Sequence, residues 1–251
     1  MNQAPVNAIN PAFLDAFEAE LASVGEDETV AAVVLASSLR VFSAGADAAW
    51  MAETVRERGS QGLLAEFNRT MDRFREVCAR LRRTPVLFIA ALEGHTLAGG
   101  LELAAACDLR FAADSERIQL GVPEMDLFGA MPSGGGGAQF LARLMGPSRA
   151  LQFILDAKPV NPAQAYALGL VERLLPAGEV RDGAQRFAEE VAKKAGRTGV
   201  AAAKRAVFGG VELPLLPALE LDRSLHWDAM RRGNFLAGVD GFVASFGSKG
   251  K

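Results

Sequence analysis

Two histidines, two cysteines and no long apolar run leave this chain without the materials for several common kinds of site. His95 and His226 have no CxxC or HExxH around them, so a zinc site lacks ligands and no metal is expected. Cys78 and Cys107 sit in apolar segments and read as reduced core residues, not a disulfide framework. The longest clean apolar run, Pro85 to Leu92, is far too short to cross a bilayer. The N-terminus lacks a basic region followed by an apolar block, and a soluble, cytoplasmic protein with no membrane partner is expected. There is no basic excess either: a net charge of -3 and a pI near 5.6 give no electrostatic reason to expect nucleic acid. Three catalytic signatures are also missing. Ser133 has Met131 where the first glycine of GxSxG would stand. Neither GxGxxG nor GxxxxGK[ST] occurs, because Gly134 to Gly137 run into Ala138, Gln139 and Phe140. If this is an enzyme, it works with carboxylates and backbone.

What is present is a 251-residue chain, half of it hydrophobic, enough for one larger α/β domain or two small ones. Asn10-Pro11 is a cap and first-turn pair for a helix to about Ser23, with Phe13, Phe17 and Leu21 on one face. Val30 to Ala36 and Val86 to Leu92 read as buried strands, Asp108 to Ala113 as a third and Val171 to Pro176 as a last one. Asp47 to Arg58 looks polar and mobile, and a long helix is marked by Leu63, Leu64, Phe67, Met71, Phe74, Cys78 and Leu81. Beyond Glu179 the pattern is almost wholly helical, with breaks at Gly209-Gly210 and Pro214.

Two carboxylates keep unusual company. Glu102 lies in the first turn of a short helix, Ala98 to Cys107, between Leu101 and Leu103, and Glu124 sits in LGVPEMDL. Apolar surroundings disfavour the charged form of a carboxylate and bring its proton exchange towards neutral pH. Taken alone, Glu102 is equally well a first-turn acid that complements the helix dipole, and Glu124 is more simply a surface loop acid. A helix entered through Gly99 and Gly100 leaves N–H groups unshielded, which suits a developing negative charge, although close helix packing would also call for glycine. The same two readings, turn or anion cradle, attach to Phe42 to Asp47.

Four ordered stretches together resemble the enoyl-CoA hydratase/isomerase, or crotonase, superfamily. They are FSAGAD (Phe42 to Asp47), Thr84 to Ser115 with LEGHTLAGGLELAAACDLR inside it, IQLGVPEMDL (Ile118 to Leu127), and Gly146 to Pro176. The resemblance implies an α/β fold: a right-handed spiral of β-β-α repeats over residues 1–180, its first strands missing or shortened, and a helical trimerisation region over 181–251. It implies an acyl-CoA substrate, no cofactor beyond that coenzyme A thioester, and a homotrimer or dimer of trimers. The oxyanion donors fall on the backbone N–H groups of Ala46 and Gly99, each such donor being worth ~10²- to 10³-fold in rate. Catalysis falls on Glu102 and Glu124. Substrate contacts fall on Ala44, Gly45, Asp47, Gly100, Phe128, Met131 and, from the tail, Phe242.

Both glutamates together favour a hydratase, because water adds across the double bond at two carbons. A double-bond isomerase, a lyase or a thioester hydrolase is the alternative within the family, and a non-catalytic acyl-CoA-binding scaffold the alternative outside it. Three departures bear on the substrate. PEMDLFGAMPSGGGGAQ is about two residues longer than the family's pattern, Ala98 stands for the first of three glycines, and the tail lacks the usual charged pattern around Phe242. His95 and Asp108 read as structural, and Arg80, Arg82, Arg83, Lys204 and Arg205 as solvated charge with CoA phosphate contact as the lesser possibility.

Overall fold

The computed structural model describes residues 1–129, 134–232, 235, 238–240 and 242–243. The chain alternates strands between two parallel sheets and places a helix after each pair. Helix α1 (Pro11–Glu26) leads into β1 (Ala32–Ala36), β2 (Val41–Ser43) and helix α2 (Ala48–Arg83). Then come β3 (Leu87–Leu92), β4 (His95–Leu97) and α3 (Gly99–Ala106), followed by β5 (Leu109–Ala113), β6 (Leu120–Gly121) and α4 (Glu124–Phe128). Helices α5 (Gly137–Met145), α6 (Pro147–Asp156) and α7 (Pro162–Ala167) precede β7 (Arg173–Leu175). The odd-numbered strands form a four-stranded sheet in the order β1-β3-β5-β7, and the even-numbered ones a three-stranded sheet, β2-β4-β6. Every strand pair is parallel, as a β-β-α spiral requires when successive turns stack in register.

The local chemistry explains the elements. Asn10 accepts the Phe13 N–H at 2.8 Å, and Pro11 follows it at the first helical position, so α1 starts where the sequence predicts. Strand β3 reads LFIAAL and is buried at five of six positions, the continuous apolar run of a central parallel strand. The second sheet, with strands of three, three and two residues, is too short to leave a periodic trace.

One expectation is overturned. Residues 48–58 are the first half of helix α2, which Asp47 caps by accepting the Ala49 and Trp50 N–H groups at 2.9 and 3.1 Å. Gly59, at φ 68°, then bends α2, and Trp50 stacks on Phe67 across the bend with ring centroids 6.5 Å apart. The polar surface of this first half is its solvent face.

The C-terminal part opens with α8 (Val180–Lys204), which packs on the four-stranded sheet through Val180, Ala184 and Ala188. A π-helical turn, Arg205–Gly209, carries the chain straight through the expected break at Gly209-Gly210, and α9 (Leu215–Arg232) follows the break at Pro214. Lys204 is not solvated: its ammonium donates to the carbonyls of Leu81 and Val86 and to Asp108 Oδ2, at 2.6, 2.9 and 2.7 Å. No helix among the described residues is long and apolar enough to cross a membrane.

Candidate active site

Helix α3 sits with seven of its eight residues buried, so the carboxylate of its first turn has nowhere to go but inward. Glu102 is 2% exposed, and its Oε2 accepts the N–H of Gly135 at 2.5 Å and of Gly137 at 3.1 Å. Burial lifts its pKa from 4.5 to about 7, and the neighbouring Glu124 charge adds to the rise while the amide donors oppose it. Glu124 opens α4 behind Pro123 and is 5% exposed. Burial raises its pKa too, and among the described residues its Oε2 has no hydrogen-bond partner. The surface-loop reading of Glu124 is therefore corrected: Glu124 is the one buried residue of the helix it begins, whereas Asp126, Leu127 and Phe128 are exposed.

Both carboxylates line one cavity of about 600 Å³. Ala46 and Gly99 border the same cavity, and their backbones explain what they offer it. Ala46 forms a parallel bridge with Ile9 in which Ile9 donates to Gly45 and Asp47 donates to Ile9, at 2.8 and 3.0 Å. The Ala46 N–H thus points to the other side. Gly99 is the first residue of α3, where an N–H has no intrahelical partner. Neither N–H donates a hydrogen bond among the described residues. Gly45, at φ 88°, locks the two loops together: a Cβ there would fall 2.6 Å from Ala98 Cβ and 2.9 Å from the Gly99 nitrogen. Ala98 itself holds φ 54° and ψ -132°, a strained conformation for a residue with a side chain, at the turn that presents Gly99.

Other residues singled out in the sequence divide clearly. Ala44 and Phe128 line the cavity. Asp47 is a helix cap that also accepts Asn10 Nδ2 at 2.8 Å, and it lies outside the lining. Gly100 packs under β2, where a Cβ would approach the Ser43 carbonyl oxygen to 2.4 Å, so its smallness serves helix–strand contact. Phe242 is 64% exposed in the C-terminal helical stretch and is not part of the lining. Met131 lies outside the described residues. His95 is exposed, accepts the Gln119 N–H at Nδ1 and stays out of the cavity. Arg82, Arg83, Lys204 and Arg205 gather around a different cleft, and Arg82 closes the far end of α3 by donating to the Ala105 carbonyl at 2.7 Å.

Sequence reasoning missed two groups of residues. Met51 lines the cavity from the half of α2 read as mobile, and Ile9 from the segment before α1. Asp47 followed by Ala48-Ala49-Trp50-Met51 is a capped helix start, and that signal could have found Met51. The Gly135 and Gly137 amides that hold Glu102 carry no side-chain signal at all.

The family model described as Enoyl-CoA hydratase/isomerase matches residues 1–246. A protein named probable enoyl-CoA hydratase from Mycobacterium tuberculosis is 31% identical over 238 residues, covering 95% of this chain and 87% of its own. The mouse protein named methylglutaconyl-CoA hydratase, mitochondrial, is 30% identical over 240 residues, covering 94% of this chain and 73% of its own. Among solved structures, an enoyl-CoA hydratase from Geobacillus kaustophilus superposes with a TM-score of 0.85 at 32% identity, covering 96% of this chain and 87% of that one.

Proposed function

Because the chain belongs to the enoyl-CoA hydratase/isomerase family, we propose that it adds water across the double bond of a trans-2-enoyl-CoA to give a 3-hydroxyacyl-CoA. The observation that carries this reading is the convergence on one cavity of two buried carboxylates and two backbone N–H groups that have no partner among the described residues. Conjugation with the thioester makes C3 electrophilic, and attack there sends electron density onto the thioester oxygen. The Ala46 and Gly99 N–H groups receive that oxygen, aimed in advance at charge that appears only as the enolate forms. Glu102, ionised and oriented by the Gly135 and Gly137 amides, orients the water and takes one proton as the hydroxyl bonds to C3. Glu124, on the same cavity, delivers a proton to C2 as the enolate collapses. One water is consumed, and the second glutamate is reloaded from the first by way of solvent or product exchange. The reading needs no metal or redox group, because the thioester itself acidifies C2.

The test mixes protein with trans-2-enoyl-CoA and follows loss of the conjugated absorbance and the product mass, with Glu124→Gln alongside. Gain of one water, abolished in the variant, is the expected result. Unchanged mass with a moved double bond would replace the hydratase by an isomerase. Ester binding without turnover of any kind would leave only the scaffold.

Assembly as a homotrimer or dimer of trimers belongs to the same proposal. It is supported by the apolar side chains that α9 leaves outside, Leu215 at 72%, Leu216 at 74% and Trp227 at 54% exposed, and sedimentation of the purified chain tests it. A cytoplasmic location is supported by two buried free thiols, Cys78 and Cys107, which suit a reducing compartment.

A further inference from the structure

We infer that the acyl group this site takes is an uncharged aliphatic chain longer than four carbons, and that Leu64, Leu127 and Phe128 set this preference at the cavity mouth. The inference rests on the hydratase reading above. Two independent features of the cavity lead to it, the charge of its walls and the gradient of exposure from floor to rim.

The only ionisable side chains in the described lining are Glu102 and Glu124. A substrate whose acyl group ends in a second carboxylate would bring a third acid into this space, with no lysine, arginine or histidine in the lining to meet it. Residues 130–133 are Ala-Met-Pro-Ser and supply no cation by composition. Arg75 reaches the lining residue Gly134, but its guanidinium is engaged there by the Gly134 carbonyl at 2.9 Å and by Asp72 at 2.7 Å. This separates the chain from what the names of its mouse and human relatives, methylglutaconyl-CoA hydratases, imply about their own substrate.

The apolar walls change character outwards. Ile9, Met71 and Phe74 are buried at the floor, whereas Leu64, Leu127 and Phe128 are 57%, 64% and 58% exposed while still lining the cavity. Leu64 belongs to α2, and Leu127 and Phe128 to α4, so the rim is apolar from two separate elements. A four-carbon acyl group beside Glu102 and Glu124 covers less of that rim than a longer one does. A longer chain covers it, and each methylene removed from water is worth about 0.8 kcal/mol, or about fourfold in kcat/KM.

The experiment measures kcat/KM for trans-2-enoyl-CoA esters of four to twelve carbons and for glutaconyl-CoA, together with the affinities of butyryl-, decanoyl- and glutaryl-CoA. Expected is a rise of at least tenfold from four to ten carbons, and a glutaconyl value at least tenfold below that of the five-carbon uncharged ester. In Leu127→Ala/Phe128→Ala the ten- to four-carbon ratio should fall at least fivefold. A flat or falling chain-length profile, or preference for the glutaconyl ester, would overturn the inference. Should no ester be hydrated, the hydratase reading fails by itself, and the binding series still decides: decanoyl-CoA bound no tighter than butyryl-CoA sinks the chain-length claim.

Discussion

Helices α3 and α4 each present a glutamate from the first turn, yet they treat it in opposite ways. Helix α3 is buried almost throughout, and its Glu102 is tied down by two amides from a different segment. Helix α4 is a five-residue element whose only buried member is Glu124, one of whose oxygens has no partner among the described residues. The same functional group is thus held by amides of another segment in one place, and in the other is desolvated with only its own backbone N–H to oppose the shift. Burial acts on both acids in the same direction, and they differ in their donors: the amides of Gly135 and Gly137 for Glu102, its own backbone N–H for Glu124.

The hardest test of this contrast is to erase it. Glu102→Gln and Glu124→Gln should each lower kcat on an enoyl-CoA by about 10²- to 10⁴-fold while leaving ester affinity nearly intact, measured by steady-state kinetics and calorimetry. Next in size is Gly135→Ala. A Cβ at that position would sit 2.2 Å from Phe74 Cε1 and 2.6 Å from Glu102 Oε2, so the loop must retreat and release the carboxylate. A misplacement of that order costs about 10²-fold in kcat, with the fold retained by circular dichroism.

pH sharpens the contrast further. Glu102 titrates near 4.5 when unfolded and at about 7 when folded, so between those values the native state holds a proton that the unfolded chain has lost. Stability from this group is therefore full below pH 4.5 and is lost as pH rises towards 7, by on the order of 3 kcal/mol. Glu102→Gln should raise the midpoint of thermal unfolding at pH 8 relative to the parent, and the gain should be much smaller at pH 5. Catalysis runs the other way: kcat/KM should climb with pH up to about 7 as Glu102 ionises. The smallest effect concerns the turn before α3. Ala98→Gly relieves a positive φ and should stabilise the protein by up to about 1 kcal/mol in chemical denaturation, glycine's greater freedom when unfolded offsetting part of the relief.

How much of this was legible in the sequence depends on which physical signal each residue leaves. Strand β3 and helix α1 announce themselves, one by an uninterrupted apolar run and the other by Asn10-Pro11. Glu102 and Glu124 stand out as acids in apolar company, and the family resemblance places Ala46 and Gly99 beside them. The first half of α2 was invisible because its outward face is polar and its inward contacts, Trp50 on Phe67, depend on the bend at Gly59. Strands β2, β4 and β6 are too short for any periodicity to register. The partners of Glu102 were beyond reach for a different reason: backbone amides look alike in every sequence, and only the fold decides which ones face a carboxylate.

Lys204 and Arg82 give the short helix α3 a property beyond placement. At its front Glu102 is pinned by the glycine loop, and at its back Arg82 holds the Ala105 carbonyl while Asp108, just past the end, is clamped to Lys204 of α8. Eight residues at 1.5 Å each make a strut of about 12 Å. Held at both ends, it ties the Glu102 carboxylate of the cavity to α8, so substitutions at Lys204 or Asp108, neither of which lines the cavity, are expected to reach it through this helix.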